Sequence, residues 1–174
     1  MPPEILNKPG PLDEDEFEEV KKHCMAGYKL AETFPGMNED ILKGILQHHE
    51  RQDGSGYPFG LTGDRIHETA RIIAVADIYD AMTSNRLYKE RVCPFDVFET
   101  IEKDYFGKLD HRTANTFLKN IASYYIGELV RLSNGNIGEI VHINPYNIAR
   151  PIVKSESTYI DLATEKSLKI VEML

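Results

Sequence analysis

The chain has 174 residues, 41% hydrophobic and 28% charged, which bounds it to one globular domain or one domain with a small appendage. A formal charge of −8 argues against a broad DNA or RNA surface, while leaving room for a small anion in a local basic pocket. No run approaches the roughly 20 apolar residues of a membrane span; Met1-Pro2-Pro3-Glu4 has no leader pattern, and Cys24 and Cys93 have no metal-type spacing, so the reading is reduced thiols in a cytoplasmic protein.

Residues 1–12 are proline-rich and are expected to be irregular. Asp13 and Glu16 have the spacing of a capping box, so a first helix is expected from there to about Phe34, stopped by Pro35-Gly36. The acids Asp13 to Glu19 then read as a solvated helix start that complements the helix dipole. A second helix fits 38–51, a glycine-rich loop 52–66, and a third helix 67–84. Pro94 opens a fourth, and Asp110 or His111 a fifth that ends near Tyr125. From Gly127 the pattern alternates. Asn134-Gly135 between apolar runs signals a hairpin, and three further short runs follow. The expected fold is mainly α, about five helices over 1–125, with a small antiparallel β appendage over 126–174.

The densest chemistry lies at His48-His49-Glu50, followed by Asp53-Gly54-Ser55-Gly56-Tyr57-Pro58. Two adjacent imidazoles at a helix end can serve one site, and the glycines let backbone approach a ligand. Both histidines stand three and four residues after Ile45, near the buried face. Asp77 has Ile73, Ala74 and Ala81 among its helical neighbours and is expected to face inward. There it would be partnered by a metal or a basic group, or else be a buried acid satisfied by an arginine or a backbone amide. His23 sits on a partly apolar helix face and is open to a core reading as well as a ligand reading. His67, His111 and His142 read as structural or solvated. Three histidines and one carboxylate on successive helices make an N/O set suited to iron, manganese or zinc; with no cysteine at suitable spacing, a structural zinc knot is not expected. Arg86 and Lys89, past the third helix, suit phosphate oxygens or form a solvated basic turn. Tyr57 can stack on a base or bond a phosphate through its hydroxyl.

Taken together, residues 48–63, Arg71 to Ala81 and Thr83 to Lys89, with Pro3 to Leu12 and His23 upstream, resemble the HD-GYP family across about residues 2–125. The resemblance implies an HD-superfamily-like helical bundle and a metal-dependent phosphohydrolase. That family holds two or three iron or manganese ions and cleaves cyclic di-GMP to linear pGpG and often to GMP. By the same resemblance His23, His48, His49 and Asp77 are metal ligands, while Tyr57, Arg86 and Lys89 contact the dinucleotide. The ions would acidify a bridging water to hydroxide and neutralise the phosphodiester.

The departure is at the start. The family's His-Asp pair and Gly-Lys stand before the position of Met1-Pro2, and Asp110-His111 is the reverse order elsewhere. The expectation is therefore a fragment or a shortened member, its N-terminal helices missing, with weak metal occupancy and weak or absent turnover. A homo-oligomer would cover the apolar face so left open. The alternative is a catalytically inactive module that binds a nucleotide or a protein partner.

Overall fold

The computed structural model describes residues 2–84 and 92–174. It divides into two compact units, one of residues 1–91 with 106–114, the other of residues 92–105 with 115–174.

In the first unit, one turn of helix, α1 (Pro3–Leu6), occupies the segment expected to be irregular. Pro3 sits in its first turn, where a missing N–H costs nothing, and the amides of Ile5 and Leu6 bond back to the Pro2 carbonyl. Helix α2 (Glu14–Ala31) begins where the capping box placed it. The Glu16 amide donates to Asp13 Oδ1 and the Asp13 amide to Glu16 Oε2, each at 2.9 Å. Asn38 caps α3 (Glu39–Gln47) by accepting from the Ile41 amide at 2.9 Å. A loop then runs to a single 3-10 turn at Gly63–Arg65, and His67 caps α4 (Glu68–Thr83).

Close helix approach in this unit depends on two residues without side chains. A Cβ on Gly27 of α2 would stand 3.0 Å from Ile45, and one on Gly44 of α3 would stand 3.0 Å from both Ile73 and Thr69 of α4. The Gln47 side-chain carbonyl accepts from the His67 amide at 2.8 Å, which ties the end of α3 to the start of α4. Arg71 closes the intervening loop: its Nε donates to the Ile66 carbonyl at 2.8 Å and its guanidinium also meets Asp110 at 3.5 Å. Ile66, Ala70, Ala74, Val75 and Ile78 are buried beneath this loop-helix junction.

The second unit contains α5 (Pro94–Asp104), opened by its proline, and most of α6 (His111–Ser123), whose first residues belong to the first unit. Five antiparallel strands follow: β1 (Leu129–Leu132), β2 (Ile137–His142), β3 (Ile152–Ser155), β4 (Thr158–Asp161) and β5 (Ile170–Met173), in the order β4-β3-β2-β1-β5. The hairpin expected at Asn134-Gly135 forms, with Gly135 at φ 88° and Arg131 opposite Ile137. Alternation places Val130, Leu132, Ile140 and Val153 on the buried face, and Phe95, Val97, Phe98 and Leu118 are among the buried residues of α5 and α6. Secondary structure thus changes from helix to strand after residue 125, while compactness groups α5 and most of α6 with the sheet. Among the described residues, no helix is long and apolar enough to cross a membrane.

Candidate metal centre

His23 comes from the middle of α2, and His48 and His49 from the turn that ends α3. His48 keeps a helical backbone (φ −64°, ψ −15°), and the Glu50 amide bonds back to the Gln47 carbonyl at 2.8 Å. This turn ends α3 four residues earlier than the expected limit at 51. The helix stops because Glu50 is diverted: almost fully buried at 2% exposure, its two carboxylate oxygens accept from the amides of Phe59 and Leu61, each at 2.8 Å. That side chain anchors the glycine loop at Phe59 and Leu61.

The imidazoles are oriented by backbone. His23 Nδ1 lies 2.6 Å from the Val20 carbonyl and His48 Nδ1 lies 2.8 Å from the Ile45 carbonyl. A carbonyl only accepts, so both rings carry their proton on Nδ1 and expose a lone pair on Nε2. Those two Nε2 atoms face each other at 3.2 Å. Two lone pairs at that distance repel unless a cation lies between them. The ring centroid of His49 is 4.9 Å from that of His23 and 4.2 Å from that of His48. Donor atoms of His23, Cys24, His48 and His49 all lie within 4.8 Å of one another.

Electrostatics keep the His48 and His49 rings neutral. Burial, then the neighbouring His48 and His23 and the Arg51 charge, push His49 down to about 3. Burial also lowers His48, against the pull of its bond to the Ile45 carbonyl. Neutral imidazole is the form that binds metal, so the donor set fits a transition ion. Asp77, on α4, stands 3.8 Å from His49 Nδ1, beyond a hydrogen bond but within the span that two donors at about 2.1 Å from one ion can share.

Tyr57 stacks on His49, ring centroids 4.6 Å apart and planes at 29°, and meets Phe17 edge-on at 5.9 Å. Its amide donates to the His49 carbonyl at 3.2 Å. Burial first, with nearby negative groups, pushes its phenol up to about 12, so the hydroxyl stays a donor. Gly56 makes this fold-back possible: a Cβ there would lie 2.4 Å from both the Arg51 nitrogen and the His49 oxygen. Lys21 approaches the same aromatic pair, 4.9 Å from the Phe17 ring and 6.0 Å from that of Tyr57.

Of the residues named from sequence, His23, His48, His49 and Tyr57 come together, with Asp77 beside His49. Asp77 is not turned inward as its apolar neighbours implied; its side chain is 42% exposed. Ile72 and Ile73 are themselves exposed, and the buried stripe of α4 is Ala70, Ala74, Val75 and Ile78. Arg86 and Lys89 lie outside the described residues. Cys24 and Glu50 were not named as site residues from sequence. Cys24 has no spaced cysteine partner and meets the histidines only because α2 packs on α3. Glu50 falls inside the expected helix 38–51 and the His48-His49-Glu50 motif with no role of its own, because its partners lie nine and eleven residues on.

A family model described as HD domain matches residues 1–111. The chain is 36% identical over 156 residues to a cyclic di-GMP phosphodiesterase of Pseudomonas aeruginosa, covering 88% of this chain and 37% of that protein. It is 50% identical over 93 residues to the cyclic di-GMP phosphodiesterase response regulator RpfG of Xanthomonas campestris pv. campestris, covering 52% of this chain and 24% of that protein. The chain thus spans well under half the length of these relatives. Among solved structures, an HDG"Y"P protein of Bdellovibrio bacteriovorus shares the fold with a TM-score of 0.51 at 23% identity, covering 66% of this chain and 37% of that one. With its paired histidines, its Gly-Tyr-Pro loop and this match over most of its length, the chain belongs to the HD-domain family, consistent with the HD-GYP members of it.

Proposed function

We propose that this chain carries part of a metal-dependent phosphodiesterase site that acts on cyclic di-GMP, giving pGpG and GMP. The observation that supports it best is the pair of facing Nε2 lone pairs of His23 and His48, with His49 beside them and Tyr57 stacked alongside. His23, His48, His49 and Asp77 are the proposed ligands, for iron or manganese. A divalent ion held there supplies Lewis acidity toward the phosphodiester and toward water. The residues do the rest. Backbone carbonyls fix two imidazoles with lone pairs inward, and Asp77 adds negative charge at the rim. Tyr57 offers a ring face to a base and a protonated hydroxyl to a phosphate oxygen; Arg86 and Lys89 are the proposed anion contacts. Turnover by this chain alone is expected to be weak, since these four ligands do not complete a shell for two or three ions.

The reading assigns the chain to the cytoplasm, in keeping with its two free cysteines. It also assigns a homo-oligomer, supported by exposed apolar side chains such as Leu30, Ile41 and Ile72. Sedimentation of a concentrated sample as a strict monomer contradicts the second assignment. The functional test pairs metal analysis with hydrolysis of cyclic di-GMP and of a mixed guanine–adenine cyclic dinucleotide. His49→Ala and Asp77→Ala are expected to lower metal retention and any hydrolysis together. Unchanged metal stoichiometry in both variants rejects the ligand assignment. Preference for the mixed dinucleotide rejects the substrate but keeps the reaction class. Tight nucleotide binding with no turnover under any metal favours a binding module.

A further inference from the structure

We propose that Cys24 is a further donor of this centre, beside the three histidines and with Asp77 at the rim, and that its sulfur makes the site prefer thiophilic divalent ions, iron(II), cobalt(II) and zinc, over manganese. The inference rests on the metal-site reading above and sharpens it, because it chooses iron over manganese.

Cys24 is fully buried and follows His23 directly on α2. Its Sγ lies 3.6 Å from His23 Nε2, the same nitrogen that faces His48 Nε2 at 3.2 Å. Both rings carry their own protons on Nδ1, engaged by the carbonyls of Val20 and Ile45. Three electron-pair donors therefore converge on one point, and the only proton available among them is that of the thiol. One proton can satisfy one pair of donors and leaves the third unsatisfied. A divalent ion satisfies all three at once: sulfur binds the ion, and the thiol proton leaves to solvent. With His49 the cluster offers three nitrogens and one sulfur, all within 4.8 Å of one another, and with the Asp77 carboxylate beside them the set is rich in nitrogen and sulfur rather than all-oxygen. Softer ligands rank these ions above manganese, which also stands lowest in the general affinity order.

Cobalt(II) alone is the probe, because a cobalt–thiolate bond gives a charge-transfer band that nitrogen and oxygen ligands do not. The chain contains two cysteines, so Cys93→Ser leaves Cys24 as its single thiol. The band is expected in the unaltered chain and in Cys93→Ser, and lost in Cys24→Ser and Cys24→Ala. Zinc is expected to displace it at far lower concentration than manganese. Cobalt affinity in Cys24→Ala is expected to fall by about 10–100-fold, at least the effect of losing an outer-shell partner. Cobalt bound without the band in Cys93→Ser overturns the role of Cys24 and leaves the histidine site standing. No cobalt binding at all overturns both. Either outcome is read from Cys93→Ser, even where a Cys24 variant fails to fold.

Discussion

Glu50 shows how much a single buried side chain can organise. Its two oxygens are the partners of the Phe59 and Leu61 amides, and it is only 2% exposed. Glu50→Ala removes two charge-assisted bonds and is expected to cost about 2–4 kcal/mol in urea unfolding, with faster hydrogen exchange at Phe59 and Leu61. A loss below about 0.5 kcal/mol, the scale of an ordinary surface substitution, contradicts the anchoring role. Gly56→Ala is the steric counterpart. The added carbon would lie 2.4 Å from backbone atoms of Arg51 and His49, so the loop must shift and carry Tyr57 off the His49 ring. Loss of nucleotide binding with retained helix content in circular dichroism is the expected outcome; full binding argues that the stack does not matter. Residues such as these are hard to find from sequence because their partners lie far along the chain. His48 and His49 were legible as an adjacent pair. Glu50, next in line, was legible as part of the motif but not in its role, and Cys24 had no spacing to betray it.

Helix starts were legible where the signal is local. The Asp13–Glu16 box opens α2 and Pro94 opens α5, as their spacing and rigidity require. Helix ends were less so: α3 stops at Gln47 because a tertiary demand on Glu50 overrides helical propensity, and no cap residue marks it. On α4, the inward-facing Asp77 expected from its neighbours is instead part-exposed, since Ile73 is exposed while Ala74 is buried. At α6, the Asp110 side chain accepts from the Thr113 amide at 2.8 Å and meets Arg71 at 3.5 Å. Burial raises its pKa, but the bonds from Thr113 and the charges of Arg71 and Arg112 outweigh it and hold the carboxyl below its ordinary value of 3.8. A depressed folded pKa stabilises the fold above the unfolded value and loses that contribution as pH falls through the folded one. Asp110→Asn is therefore expected to be less stable than the parent at about pH 6, with the gap narrowing toward about pH 2 in urea titrations. A gap that stays constant with pH contradicts the ionic role of this cap.

At the scale of the molecule, binding and stability are linked. An ion that binds the folded histidine cluster stabilises it by mass action, about 2.7 kcal/mol at 100 times its Kd. Thermal unfolding is expected to shift upward with cobalt or zinc and return to the starting value with a chelator. An unfolding curve indifferent to both contradicts a preformed centre. The chain order His48-His49-Glu50 adds a mechanical consequence. Glu50 is one peptide bond from His49 and is clamped to the amides of Phe59 and Leu61, while the Tyr57 amide is bonded back to the His49 carbonyl. The proposed cradle for an ion and the proposed strap for a dinucleotide are therefore joined through one peptide bond and one carboxylate. On that proposal, an occupant that steadies the strap steadies the cradle by an equal free energy, so ion retention and nucleotide grip are expected to rise and fall as a pair.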